Sequence, residues 1–443
     1  MARPATPGDP AGHPPAATGG CASAPNAGSP VSRRASLWLL AGGLLAGAGP
    51  ALGDDDEDQR QAAVLLRDVA KLLADESVHD LRQVDVARGC LAGLRAFVPP
   101  DFAATVRQTL RQPENAADLL PLLQVLMDGL GRAVADKRAE SRRKLMEQLL
   151  HTYLRGLDRY SGFKDAATWE LIKKLEEENR VGLGTVLMEE PVGHFHLYPY
   201  PAEPADLAGV VAGDELVEVD GAPVAGQNLY RLAARLLGDE GSSTTLTVRQ
   251  EGKEPRQITV SRTKVRVSPI ELKQGPDGLT IRIRKFTLAA AKEIQTALRS
   301  APPSTPLVLD LRGCPGGEMD STVLIAFLLL PEGCEIGSLV TANGKEQVYR
   351  STNREPFRPK SIRILMDGGT ASAAELLISA LTTNLPTITS TQGTRTFGKG
   401  MTQQESVLHD AGGAVTFSDR RLRGPGGVTW EGTGIDPQQA DGR

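Results

Sequence analysis

Aromatic side chains make up only 4% of this 443-residue chain, too few to build the stacked platforms on which unpaired bases lie. The formal net charge is −4, so there is no basic field to draw a nucleic-acid polyanion. Cysteine is limited to Cys21, Cys90, Cys314 and Cys334. Their spacing matches no metal site, and the odd number left after loss of a leader containing Cys21 allows one bridge at most. A run apolar enough to approach a membrane span occurs only just after residue 36. These absences exclude a nucleic-acid binder, a disulfide-stapled domain and a multi-spanning membrane protein.

What is present suffices for two to three domains, each able to bury its own core. Residues 1–31 are rich in Ala, Pro and Gly, with too few large apolar side chains to fold. Then comes "SRRASLWLLAGGLLAGAGPALG", a pair of arginines, an apolar stretch from Leu37 and small residues up to Gly53. That layout predicts an export signal cleaved before the acidic run Asp54 to Glu57, and Arg33–Arg34 followed by Leu37 resembles a twin-arginine signal. Uncleaved, the same stretch would be a short membrane anchor. The expected destination is the periplasm or cell envelope.

Residues 56 to about 157 read as helix, within an N-terminal helical region set at 54–165. "QAAVLLRDVAKLLADE" and "RRKLMEQLLHTYLRGLD" repeat apolar residues at three- and four-residue steps, and Pro99-Pro100 and "RQPEN" divide the region. From about 180 to 262, in a domain set at 170–262, the pattern changes to short alternating strands, among them "RVGLGTVLM", "DELVEVDG" and "TTLTVRQEG", with "NLYRLAARLLG" as a helix. From 263 to 437, strands and helices alternate in an α/β pattern, leaving 438–443 as a tail.

Ser372 falls in "ILMDGGTASAAELLISAL", on the turn from a predicted strand to a predicted helix. The free N–H groups of a helix start can stabilise an oxyanion, and small neighbours admit a substrate carbonyl. A serine at that position is also an ordinary helix cap. As a nucleophile it needs a base. Histidine is the usual one, but His194 and His196 alternate as on one strand face, His409 lies on a hairpin shoulder, and no G-x-S-x-G elbow is present.

Lys399, bracketed by glycines in "RTFGKGMTQQ", is the stronger candidate. At its ordinary pKa only about one lysine in two thousand is neutral at pH 7. Burial can lower that pKa by roughly 3 units, at a cost of about 4 kcal/mol of stability. Gln403, four residues on, could hold the neutral amine through its amide oxygen.

With "GGTASAAELL", "TFGKGMTQ", "LVLDLRGCPGG" and "GTGIDPQ" in this order, the chain resembles the C-terminal processing peptidases, the tail-specific serine proteases. "LRGLDRYSGF" is similar to that family's L-D-P-x-S-x-Y stretch, and "VGLGTVL" with "PADLAGVVAGDELVEVDGAPVAG" is similar to its PDZ domain. The resemblance covers roughly 150–437. It implies a multidomain α+β fold: an N-terminal helical region, a PDZ-like β domain and a crotonase/ClpP-like α/β catalytic core. It also implies serine endopeptidase activity through an acyl-enzyme, with Ser372, Lys399 and Gln403 catalytic and with no metal and no cofactor. The implied oxyanion hole is the N–H of Ala373 with that of Gly316 or Gly317. The backbone around Gly182, Leu183 and Gly184 is implied to hold a substrate's C-terminal carboxylate. Protein or peptide substrates are the expected partners, with an adaptor protein and a homo-oligomer as further possibilities and no nucleic acid.

Three departures stand out. The serine-to-lysine spacing, 399 − 372 = 27, is about two residues longer than expected, with "TTNLPTITSTQGTRT" carrying the excess in a segment that could loop out. Cys314 replaces an asparagine beside the oxyanion loop, and the helical region before 150 is long. A catalytically inactive PDZ scaffold or regulator and an esterase using the same serine are the competing readings.

Overall fold

The computed structural model describes residues 54–112, 119–175, 181–189, 191, 193–265, 268–276 and 278–440. The expected leader, residues 1–53, lies outside them. The described chain begins with five helices: α1 (Asp54–Glu76), α2 (Gln83–Leu94), α3 (Pro100–Arg111), α4 (Leu119–Ala135) and α5 (Arg142–Leu157). In α1 the apolar positions Ala62, Leu65, Leu66, Val69, Ala70 and Leu73 recur at helical spacing and are all buried. Pro100 opens α3 at its first turn, where a missing N–H costs nothing. Two groups satisfy the start of α5: Ser141 accepts from the Lys144 N–H at 3.1 Å, and the Asp58 carboxylate takes the N–H of Arg142 at 2.6 Å.

The helical pattern, expected to run to about 157, ends at Leu157, so the last residues of the region set at 54–165 are not part of it. Gly162–Lys164 instead forms strand β1, which pairs antiparallel with β18 (Ala414–Arg423) about 250 residues away. β18 also pairs with β13 (Glu335–Val340) and β17 (Met401–Val407), and β13 with β14 (Glu346–Arg350). Phe163, Val415 and Phe417 from this sheet enter the same core as the five helices.

Helix α6 (Ala166–Leu175) spans the expected domain boundary at 170, and the strands begin, as expected near 180, at β2 (Val181–Gly182), which pairs with β9 (Thr263–Lys264). Its main sheet runs β3-β4-β5-β7-β8: Thr185–Glu189, Phe195–Pro199, Asp214–Val219, Ser243–Arg249 and Arg256–Ser261, with β6 (Ala222–Pro223) on β5. Helix α7 (Pro204–Leu207) and helix α8 (Leu229–Leu236) cover it, the latter capped by Asn228, and Phe195, Leu197, Leu232 and Leu246 fill the interior. Strand β3 is an edge, and all five of its residues are half-buried.

The third body holds the sheet β10-β11-β12-β15-β16-β19, made of Ile270–Gly275, Gly278–Ile283, Leu307–Asp310, Ile362–Met366, Thr389–Gly393 and Gln439–Ala440. β10 and β11 form a hairpin and the remaining neighbours are parallel. Crossovers run through α9 (Leu288–Ser300), α10 (Met319–Leu329) and α11 (Ala373–Asn384). Gln439–Ala440 therefore belong to the sheet rather than to a tail. The stretch expected to loop out ends α11, turns at 385–388 and supplies β16. Every residue of α11 from Ala373 to Leu381 is buried. Leu377 and Ile378 face the parallel-sheet core, while Leu376 packs with Leu339, Leu422 and Trp430 of the second sheet's side. This helix, buried on all sides, is held between two layers.

Candidate active site

Parallel strands carry their ligand crevices beyond their C-terminal ends. Three loops meet there: 311–318 after β12, 367–372 after β15 and 394–400 after β16. Ser372 ends the second loop at φ 57°, ψ −116°, a conformation that a residue with a side chain rarely holds, at a cost of about 1–3 kcal/mol. The elbow is thus built without the glycine pattern that would have announced it. Small residues make room: Gly369 and Gly368 lie against Tyr198 of β4, and Ala371 and Ala373 are buried.

The second loop is fastened to the first. The N–H of Ala371 donates to the Cys314 carbonyl at 2.9 Å, and the Thr370 hydroxyl to the Leu311 carbonyl at 2.9 Å. The Asp367 carboxylate accepts from Gly313 N–H and Gly369 N–H, each at 2.9 Å. Burial raises the Asp367 pKa, and these bonds oppose the rise. Gly316 sits at φ +100°, and a Cβ there would fall 3.0 Å from both Ala373 N and Ser372 Cβ. Gly316 and Ala373, expected as oxyanion donors, are therefore adjacent. Gly317 faces Phe286, whose O a Cβ at Gly317 would meet at 2.2 Å. Cys314 is fully buried, and burial pushes its thiol up to about 12, partly offset by the Gly316 N–H. The three described cysteines are free thiols.

The third loop is joined to the second by Glu375, on the first turn of α11. Its Oε2 accepts the N–H of Ser372 and of Lys399, both at 2.8 Å; its Oε1 accepts Gly398 N–H at 2.8 Å and the Thr396 hydroxyl at 2.6 Å. Glu375 is fully buried, which raises its pKa against the pull of those donors. It was not among the expected site residues, although "SAAE" has the spacing of a capping box and that signal could have found it.

Lys399 is held near pKa 8, down from 10.5, chiefly by burial; Glu431 and Glu375 act in the opposite direction and Arg159 in the same one. Its Nζ lies 5.3 Å from the centre of the Tyr160 ring. The Tyr160 hydroxyl donates to Gly398 O at 3.1 Å and to Glu431 at 3.1 Å, and Gly400 N–H reaches Glu431 at 2.6 Å. Among the described residues, no hydrogen bond joins the Lys399 amine to the Ser372 hydroxyl or to Gln403. The Gln403 amide instead donates to Met401 O at 3.0 Å.

Lys399 and Gln403 line a cleft of about 790 Å³ that continues along Val186–Glu189 of β3. Pro315 and Ala371, neighbours of Gly316 and Ser372, line it as well. Of the expected carboxylate-binding residues, Leu183 is buried, Gly184 adopts φ +67°, and Gly182 lies against Leu237 after α8. These three precede the strand that borders the cleft, and none of them lines it. His194 bonds Glu215 at 2.8 Å, far in sequence from any of these loops.

Residues 278–440 match the family Peptidase family S41, and residues 197–250 match the PDZ domain family. The carboxy-terminal processing protease CtpA of Bacillus subtilis is 28% identical over 302 residues, 67% of this chain and 63% of that protein. A carboxy-terminal-processing protease of Bartonella bacilliformis is 29% identical over 306 residues, 66% of this chain and 69% of that one. The chain thus spans about two thirds of these relatives' own length. Among solved structures, the photosystem II D1 C-terminal processing protease has a TM-score of 0.64 over 87% of this chain and 93% of its own. At 21% identity that likeness is one of fold.

Proposed function

The chain belongs to peptidase family S41 and carries a PDZ domain, and from that premise we propose that it is an exported serine endopeptidase. It captures the C-terminal tails of protein substrates with its PDZ domain and cuts them with Ser372 and Lys399. The observation that carries the reading is the Glu375 carboxylate, which binds the backbone of both residues at 2.8 Å.

In the proposed reaction the neutral amine of Lys399 takes the proton from the Ser372 hydroxyl as its oxygen attacks the scissile carbonyl carbon. The N–H groups of Ala373 and of Gly316 or Gly317 receive the negative charge that develops on the carbonyl oxygen. The lysine then gives its proton to the leaving amine, and an acyl-serine remains. Water, deprotonated by the same amine, releases the acyl group and restores the hydroxyl. Because Ser372 and Lys399 share no hydrogen bond in this structure, the reaction includes a closing step that brings them together, with a substrate tail in the β3 cleft as its trigger. Gln403 lines the same cleft and would accept from the amine after that step.

Incubating the chain lacking residues 1–53 with casein, beside its Ser372→Ala variant, tests this. Cleavage by the first and none by the second is expected. No cleavage by either would favour the inactive PDZ scaffold.

A further inference from the structure

We propose that Arg159 is a positioning residue for the Lys399 base: its guanidinium fixes the backbone of the lysine loop and places a permanent positive charge beside the amine. The inference rests on the assignment of Lys399 as the base. Arg159 lies in the turn after α5, which Asp158 makes rigid. The Asp158 carboxylate accepts the N–H of Tyr160 at 2.8 Å, the N–H of Ser161 at 2.7 Å and the Ser161 hydroxyl at 2.9 Å, and bonds His79 at 2.6 Å. The Arg155 guanidinium donates to the Arg159 carbonyl.

From that turn the Arg159 side chain crosses to the other loop. Its Nη2 donates to the carbonyl of Gly398, the residue before Lys399, at 2.6 Å. The guanidinium carbon lies 4.6 Å from the centre of the Phe397 ring and 5.1 Å from that of Tyr160. The same Tyr160 ring lies 5.3 Å from the Lys399 nitrogen. One ring therefore neighbours two cationic groups, of which only the amine can shed its charge.

Glu431, Glu375 and Asp158 favour the ammonium form, and Arg159 is the cation that opposes them. Burial raises the Tyr160 pKa, so its phenol stays neutral and adds no charge. In the L-D-P-x-S-x-Y pattern that this stretch resembles, position 159 is proline, which can neither donate to Gly398 nor repel a proton from Lys399. The arginine is thus a feature of this chain beyond the shared pattern.

The test compares the full chain with Arg159→Gln, which keeps a donor and removes the charge, and Arg159→Lys, which keeps the charge. The rate of Lys399 acetylation by acetic anhydride, followed by peptide mass spectrometry across pH 6 to 11, reads the amine directly. The midpoint is expected to rise by about half to one pH unit in Arg159→Gln and to stay in place in Arg159→Lys. An unchanged midpoint in Arg159→Gln, or equal shifts in both variants, overturns the proposal. The pH profile of casein cleavage should shift with the midpoint. A labelling shift without that partner would leave the arginine's effect standing and remove Lys399 from the role of base.

Discussion

Glu375 and Lys399 are joined through the backbone: Glu375 Oε2 accepts the Lys399 N–H at 2.8 Å, and the same oxygen accepts the N–H of Ser372 at 2.8 Å. One buried oxygen therefore sets the separation of two loops that follow different strands. Glu375→Gln exchanges one carboxylate oxygen for an amide NH2. At the Oε2 position the NH2 faces two backbone N–H donors, and at Oε1 it faces the Gly398 N–H and forces the Thr396 hydroxyl to turn from donor to acceptor. Charge-assisted bonds are worth about 1.5–3 kcal/mol each, so kcat should fall by roughly 10²-fold or more with a lower melting temperature. A steady-state assay with circular dichroism beside it decides this; a variant of near-normal kcat would show that the carboxylate does not align the loops.

The amine of Lys399, held near pKa 8 by burial, predicts a definite pH profile. A base acts in its neutral form, and that form gains population as pH rises through 8. About a tenth of the molecules are competent at pH 7, against about one in two thousand for an ordinary lysine. The rate of cleavage should climb roughly tenfold from pH 7 to pH 9 and then level off. A profile flat from 6 to 9, or one that falls over that range, would exclude this amine as the base. Lys399→Ala should abolish cleavage at every pH while leaving the fold intact.

How much of this was legible depends on how local the signal is. The strand-to-helix turn that carries Ser372 could be read because a strand run, a glycine pair and a helical period follow one another within eighteen residues. The close approach of other backbone around Lys399 could be read because two glycines flank it. The pairing of Gly162 with Thr416 could not, since three residues of strand carry no periodicity and their partner lies about 250 positions away. The reach of Arg159 to Gly398 is equally non-local. Glu375 reads in the sequence as an acidic residue on a helix's first turn, favourable there for its charge and as the acid of a capping box with Ser372. Only the fold shows that its carboxylate is turned inward onto a second loop.

The edge strand β3 gives a prediction about substrate tails. Its five residues are half-buried, and Val186, Leu187 and Met188 line the cleft that also holds Lys399. A tail added to this edge loses water from its side chains, and a charge moved into such a setting without a partner is costly. Appending Asp-Asp to an apolar substrate tail should therefore slow degradation several-fold, through KM more than through kcat. Equal rates for the two tails, measured on one carrier protein, would count against capture by this strand.

Gly316 supplies the most sharply local prediction. At φ +100° the residue is outside the range comfortable for a side chain, and a Cβ would lie 2.8 Å from the Ala371 carbonyl and 3.0 Å from Ala373 N. Both of those atoms belong to the turn that carries Ser372, so Gly316→Ala must push that turn away or rotate its own peptide. Either movement displaces an N–H from the proposed oxyanion site, and loss of one such donor costs about 10²–10³ in kcat. The rest of the loop stays tied by Asp367 and Thr370, so the melting temperature should drop by only a few degrees. A Gly316→Ala protein that melts normally and cleaves casein at the parental rate would place the oxyanion elsewhere. One that melts normally and no longer cleaves would locate the oxyanion at this glycine.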